Sequence, residues 1–205
     1  YNNTIQVYFD DLRHRYSFED GTSILGVTTI NDILAKPRLV GWAANMAADT
    51  MFDLLKPGVS YDELQIKEMV ELVRVAHIKK RDSTANQGGL VHKFVEDTIK
   101  GNNPVLPINL QVRDSCEKFL KWAKDNNVKF LASEQVVYSK EFNYVGTLDF
   151  ICRIGGKLFV GDLKTTSGIY ETHKMQTAAY RLARNEEFPK ERYDGMIIVR
   201  ISREG

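Results

Sequence analysis

Asp149, Asp162 and Lys164 are the residues of this 205-residue chain whose types and spacing point most directly to chemistry. They lie in the stretch Val145–Thr166, which reads Val-Gly-Thr-Leu-Asp-Phe-Ile-Cys-Arg-Ile-Gly-Gly-Lys-Leu-Phe-Val-Gly-Asp-Leu-Lys-Thr-Thr. Gly155-Gly156 separates two runs rich in Leu, Phe, Ile and Val, and a Gly-Gly pair accepts the positive φ angles of a two-residue hairpin turn. With the turn there, Ile154 faces Lys157, and counting outward sets Asp149 opposite Asp162. Directly opposed residues share a sheet face, with Cβ atoms roughly 5 Å apart. Lys164, two residues beyond Asp162, shares that face. Two carboxylates so placed repel unless a proton or a cation lies between them. Oxygen ligands at that separation suit a hard divalent ion such as Mg2+ or Mn2+.

Further ligand types stand at usable spacings. Glu134 precedes the hairpin in a strand-like run. His92 and Glu96 are i and i+4 on one helix face, as are Gln176 and Tyr180 downstream. Each alone has a bland reading. Asp149 and Lys164 read equally as a cross-strand ion pair on a solvated face, His92 as a packed or capping histidine, and Tyr180 as core. As an ordered set they are more specific: Gly88-x-x-x-His92, Glu134, Gly146-x-x-Asp149, Gly161-Asp162-x-Lys164-Thr165 and Gln176-x-x-x-Tyr180.

The elements that must hold these side chains follow from periodicity. Ile5, Val7, Phe9, Tyr16 and Phe18 alternate around turn-like Asp10-Asp11 and Glu19-Asp20-Gly21, which predicts an N-terminal β-hairpin leading into Ile24–Ile30. Asn31 is placed to cap a short helix ending near Pro37. Helical spacing runs from Leu39 to Leu55 and breaks at Pro57-Gly58. Ser60 and Glu63 have capping-box spacing for a helix that ends in the basic run Lys79-Lys80-Arg81. Gly88-Gly89 then opens a separate helix over 90–99, closed by Gly101. An amphipathic helix over 110–126, a strand over 130–138, the hairpin, a helix over 171–183 and a strand over 193–201 complete the chain. The first part is mainly helical. The second is β-β-β-α-β, an α/β core in which the strand at 158–163 and the strand around Met196–Val199 are parallel neighbours across a helix. The expected division is an N-terminal hairpin and helical region over 1–87 and a core over 88–205.

Composition narrows the classes. Hydrophobic residues make up 43% and charged residues 27%, a globular balance rather than a disordered one. A net charge of +1 leaves any basic footprint for nucleic acid to local patches such as Lys79-Lys80-Arg81. Trp42, Tyr8 and Phe94 are candidates for stacking on bases, with core packing the better reading of Phe94. No run is apolar enough to span a membrane and no signal-peptide pattern appears. The expected location is intracellular: cytoplasm or nucleoid, or host cytoplasm for a phage protein, with an organelle also compatible. Cys116 and Cys152, with no CxxC spacing, read as ordinary thiols.

The ordered set resembles the PD-(D/E)xK nuclease superfamily in its RecB-like, phage-type exonuclease branch. The resemblance runs from Gly88 to Tyr180, and Gly26–Ile30 with Lys36–Ala43 is similar to the lead segment of phage-type and mitochondrial-type exonucleases. It implies an α/β fold with a restriction-endonuclease-like mixed sheet flanked by helices. It implies that Asp149, Asp162, the Leu163 carbonyl and His92 hold Mg2+ or Mn2+. A histidine among oxygen ligands tilts the choice toward Mn2+. Lys164 is then expected to orient or activate the attacking water or to neutralise the phosphate, and Glu134 to hold a second metal or its water. Gln176 and Tyr180 are expected to hold the substrate backbone or brace the lysine. Two cysteines cannot ligate the iron–sulphur cluster of some relatives, so none is expected. The implied substrate is DNA, single-stranded or with a free end. A helicase or recombination partner, or self-assembly into an oligomer, fits the same resemblance. A structure-specific endonuclease and a non-catalytic nucleic-acid-binding module on the same fold are the rival readings.

Overall fold

The structure, a computed structural model, describes residues 5–34 and 36–201, without the side chains of residues 37 and 38. In chain order the elements are β1 (Val7–Asp10), β2 (Arg15–Phe18), β3 (Ser23–Gly26), α1 (Val27–Asn31), α2 (Pro37–Leu54), α3 (Glu63–Ile99), α4 (Leu110–Asp125), β4 (Lys129–Ser139), β5 (Tyr144–Ile154), β6 (Lys157–Lys164), α5 (Glu171–Glu187) and β7 (Gly195–Arg200). The architecture is mixed α/β, and among the described residues the seven strands form one mixed sheet. Two compact units divide the chain: residues up to 33 together with those from 88 onward, and residues 34–87. The division at 87/88 therefore has a second at 33/34, and the N-terminal strands go with the sheet.

The sheet has a fork in it. One edge of β5 pairs antiparallel with β4 along its length. The other edge is shared. Tyr144 and Val145 pair with Leu25 and Gly26 of the parallel strand β3, and Phe150–Ile154 pair with antiparallel β6. Between them, Gly146–Asp149 has neither neighbour on that edge. The hairpin turn is at Gly155 and Gly156, both at positive φ (57° and 82°). Its register starts at Ile154↔Lys157, as counted from the sequence. β6 and β7 are parallel across α5.

Apolar clusters cover both faces. Val91, Phe94 and Val95 of α3 pack with Val112, Cys116 and Phe119 of α4 over Phe150, Cys152 and Leu163. Tyr180 and Ala183 of α5 pack over Leu148, Ile151, Leu158 and Val160. The hairpin strands rest on a smaller cluster around Ile24, Tyr138 and Val145.

Several local expectations are corrected. Residues 27–31 are helical, and Asn31 ends that helix instead of capping another. Its side-chain amide donates to the Thr172 carbonyl (3.1 Å). Pro37 opens α2 instead of closing a helix, since proline at the first helical position gives up only an N–H that has no partner there. The box that starts α3 is Asp62 with Gln65, each side-chain oxygen accepting from the other's backbone N–H (2.9 Å for Asp62 Oδ1, 3.0 Å for Gln65 Oε1), two residues beyond Ser60 and Glu63. α3 is a single helix of 37 residues with no break at Gly88-Gly89. A mid-helix glycine costs about 1 kcal/mol relative to alanine, and burial of Val91, Phe94 and Val95 just beyond offsets it. Lys79-Lys80-Arg81 is thus mid-helix, away from the dipole's negative end. Gly101 (φ 79°) does close α3, with its own N–H on the Thr98 carbonyl and that of Asn102 on Asp97. Within the unit 34–87, the Tyr61 hydroxyl accepts from the Lys56 N–H (2.7 Å) and seals the turn at Pro57-Gly58. Among the described residues no helix is long and apolar enough to cross a membrane.

Candidate active site

The site forms where β4 and β5 stop being regular. Their ladder pairs Ser133 with Phe150 and Gln135 with Leu148 but skips Glu134 and Asp149 between them. Glu134 sits in the left-handed region at φ 50°, a conformation costing about 1–2 kcal/mol for a residue with a Cβ. Side-chain alternation slips at the same place. Leu148 and Ile151 both join the cluster under α5, whereas strict period-two alternation would put Leu148 with Phe150. Both strands slip together, so the register survives while the two carboxylates are re-aimed. A bulge at Leu131, between Phe130 and Ala132, prepares β4 for this.

α3 brings the third group. His92 Nδ1 lies 3.4 Å from Asp149 Oδ1. One ligand atom from each of His92, Glu134 and Asp149 falls within 4.8 Å of the others. The second Asp149 oxygen accepts the Leu163 backbone N–H (2.5 Å), which fixes the carboxylate's orientation from β6. Asp162 is almost wholly buried at 1% exposure. Lys164 Nζ donates to its Oδ1 (3.0 Å) and lies 2.8 Å from Oδ2. That last approach lacks hydrogen-bond geometry, so Oδ2 is a buried oxygen with no hydrogen-bond partner in the fold. Glu96 is engaged by Lys93 (3.3 Å) of its own helix and by Lys100 just past the helix end rather than by the cluster.

The electrostatics describe a site short of positive charge. Burial, then the Asp149 charge, pushes Glu134 up to about 7. Burial and Asp149 also raise Asp162, against the opposing pull of Lys164. Burial alone would lower His92, but its hydrogen bond to Asp149 and that residue's charge outweigh it and hold it above the ordinary value. A divalent cation fits this donor set. It would answer the carboxylate repulsion and take an imidazole nitrogen and carboxylate oxygens that lie within reach of one another.

α5 closes the other side. Gln176 Nε2 donates to the Tyr180 hydroxyl (2.7 Å). Tyr180 is 2% exposed, and burial raises its phenol so that it stays neutral. The glycines of the motifs are there for packing. A Cβ on Gly146 would lie 2.3 Å from the Tyr180 ring, and one on Gly161 would lie 1.9 Å from the Phe150 ring. Next along β5, the Tyr16 and Thr147 hydroxyls are hydrogen-bonded (3.0 Å), tying the N-terminal hairpin to the fork. A cavity of about 560 Å³ opens there, lined by Arg13, Arg15, Tyr16, Thr28, Gln176 and Tyr180 among others.

No family model and no curated protein matches the chain. The residues picked out by spacing nonetheless meet: His92, Glu134 and Asp149 in one cluster, and Asp162 and Lys164 as an ion pair beside it. Leu163 contributes a contact through its backbone N–H, to the Asp149 carboxylate. Phe94 is core, at 6% exposure. Tyr16 was read only as a hairpin residue, because its spacing with Phe18 signals a strand and nothing in it signals a contact with Thr147.

Proposed function

We propose that this chain is a divalent-metal-dependent deoxyribonuclease of the PD-(D/E)xK superfamily, with a restriction-endonuclease-like core, acting on DNA that has an end. The observation that carries the reading is the convergence of His92, Glu134 and Asp149, from three elements, beside the buried Asp162–Lys164 pair. An arrangement serving only packing has no reason to gather three carboxylates around one lysine and one histidine. His92, Glu134 and Asp149 are the residues that would hold Mg2+ or Mn2+, with Asp162 next to them. The ion supplies Lewis acidity and positive charge at the scissile phosphate.

The protein's own groups do the rest. Lys164, anchored on Asp162, is positioned to bind a phosphate oxygen or the attacking water. Leu163 N–H and His92 keep the Asp149 carboxylate in one orientation, which lowers the reorganisation needed when substrate arrives. The Gln176–Tyr180 pair presents a fixed polar edge along the fork. An intracellular role in recombination, repair or phage DNA processing suits such an enzyme.

The test is a digest of end-labelled linear single-stranded, linear duplex and closed circular DNA with Mg2+ or Mn2+. Linear substrates are expected to be degraded and circles spared, and Asp162→Ala is expected to abolish cleavage while sparing DNA binding. Intact linear DNA under conditions where a control nuclease cuts would refute the reading. Cutting of the circle would make the protein an endonuclease. Unimpaired DNA binding with no metal uptake would make it a binding module.

A further inference from the structure

The first turn of α5 carries a histidine that the site above leaves unused. His173, Gln176 and Tyr180 are i, i+3 and i+7, one stripe of the helix. The later two already lie against the fork of β5. His173 is half-buried. It is joined to Lys164 by the short connection 165–170, so the chain leaves the lysine and returns with the histidine.

We propose that His173 is a phosphate-binding donor, its Nε2–H bonding a non-bridging oxygen of the nucleic-acid backbone beside Lys164. The substrate class rests on the nuclease reading above; the donor assignment rests on local geometry. The Tyr170 backbone N–H donates to His173 Nδ1 (3.3 Å). A ring nitrogen that accepts carries no proton, so the neutral ring has its hydrogen on Nε2. The ring is held in place. Tyr170 meets it edge-on at 5.2 Å between centroids, and the Tyr170 hydroxyl is paired with Ser167 Oγ (3.0 Å). Arg200 donates to the Ser167 carbonyl (3.1 Å) and Thr166 Oγ1 to that of Gly168 (2.8 Å). Burial, then the charge of Lys164, lowers His173 to about 4, so the ring is a neutral donor at neutral pH. Neither the His173 N–H nor the Lys164 ammonium can accept from the other. A shared acceptor satisfies both, and an anionic phosphate oxygen is the acceptor that a site of this charge and exposure admits.

The bland alternative is a capping histidine and nothing more, and two substitutions separate the roles. His173→Asn keeps an acceptor for the Tyr170 N–H and loses the Nε2–H. His173→Gln sets an amide N–H near the Nε2 position and weakens the cap. With linear DNA and Mn2+, His173→Asn is expected to lower kcat/KM by about 10- to 100-fold, at or below the roughly 100- to 1,000-fold loss for a donor aimed at the reacting oxyanion itself, with an unchanged melting temperature. His173→Gln is expected to keep most activity and melt earlier. Equal activity of wild type and His173→Asn, or losses that follow melting temperature with His173→Gln the worse, would overturn the proposal. A second readout needs no cleavage. Histidine ring 15N and 1H resonances of the wild-type chain are recorded in EDTA, with and without a short single-stranded oligodeoxynucleotide. The free ring is expected to carry its proton on Nε2, and that proton is expected to move downfield on binding. The opposite tautomer, no shift at saturation, or no binding at millimolar oligonucleotide each overturns the proposal. A shift in a wild-type protein that cuts no DNA would leave this donor standing and remove the nuclease reading.

Discussion

Glu134 is the residue at which the metal-free protein is most at odds with itself, and Glu134→Gln measures how much. Its carboxyl titrates near 7 instead of the ordinary 4.5 because burial and the Asp149 charge disfavour the anion. Such an acid binds its proton more tightly folded than unfolded. Its contribution to stability therefore falls as pH rises from 4.5 to about 7 and stays unfavourable above that. At 1.36 kcal/mol per unit the displacement corresponds to roughly 3 kcal/mol. Solvent reaches much of this half-buried side chain, which cuts the figure to about 1–2 kcal/mol. Glu134→Gln removes the charge and keeps the shape. In EDTA at pH 8 it is expected to raise the melting temperature by about 3–6 °C. Near pH 5, where the folded protein already holds the proton, the gain is expected to shrink to a minor fraction. Saturating Mn2+ is expected to reverse the order, stabilising the wild type more than the variant. Calorimetric melts of both proteins at both pH values, with and without metal, check all three. A variant no more stable than wild type at pH 8, or one equally stabilised at both pH values, would refute the charge argument.

Gly146→Ala is expected to cost about 1–3 kcal/mol in urea unfolding, because its Cβ would meet the buried Tyr180 ring at 2.3 Å. Gly161→Ala, at 1.9 Å from Phe150, is expected to cost more, and an unchanged midpoint for either would contradict the packing described. Metal affinity is expected to fall below pH 7, because Glu134 and His92 hold protons that the ion must displace. Calorimetric titration in two buffers of different ionisation heat is expected to show that proton release, which fades toward pH 8. Lys164→Met strands the Asp162 carboxylate and is expected to destabilise the fold by about 3–5 kcal/mol. That loss is expected to grow with pH and to be largely recovered in the Asp162→Asn/Lys164→Met double variant, as thermal melts across pH would show.

Much of the core was legible in the sequence because it depends on local signals. The Gly155-Gly156 turn set the register of β5 and β6. The amphipathic period of α4 and the β-β-β-α-β order needed only side-chain spacing. What stayed hidden depends on tertiary packing overriding a local cue. Gly88-Gly89 reads as a boundary, yet the helix runs through it, since Val91, Phe94 and Val95 bury just beyond. Asn31 reads as a cap, yet its amide is taken by Thr172, far along the chain. Glu134 was visible as a carboxylate in a strand. The ordered set grouped it with His92, but the left-handed backbone and the slipped alternation that aim it there leave no trace in the pattern of hydrophobic residues.

Those irregularities coincide, and their coincidence is itself an argument about the site. At one level of the sheet the β3–β6 edge of β5 is open, Glu134 is strained, alternation slips in both strands, and the Asp162 carboxylate is buried as a charge against Lys164. Each costs stability, and sequences selected only to fold tend to remove such conflicts. A sheet indifferent to the site would continue its ladder past Phe150, with the Leu163 N–H bonded across to a backbone carbonyl. Here that N–H goes to the Asp149 carboxylate, so a ladder hydrogen bond has been exchanged for the orientation of a ligand. The exchange accords with the proposed role of that carboxylate as a metal ligand.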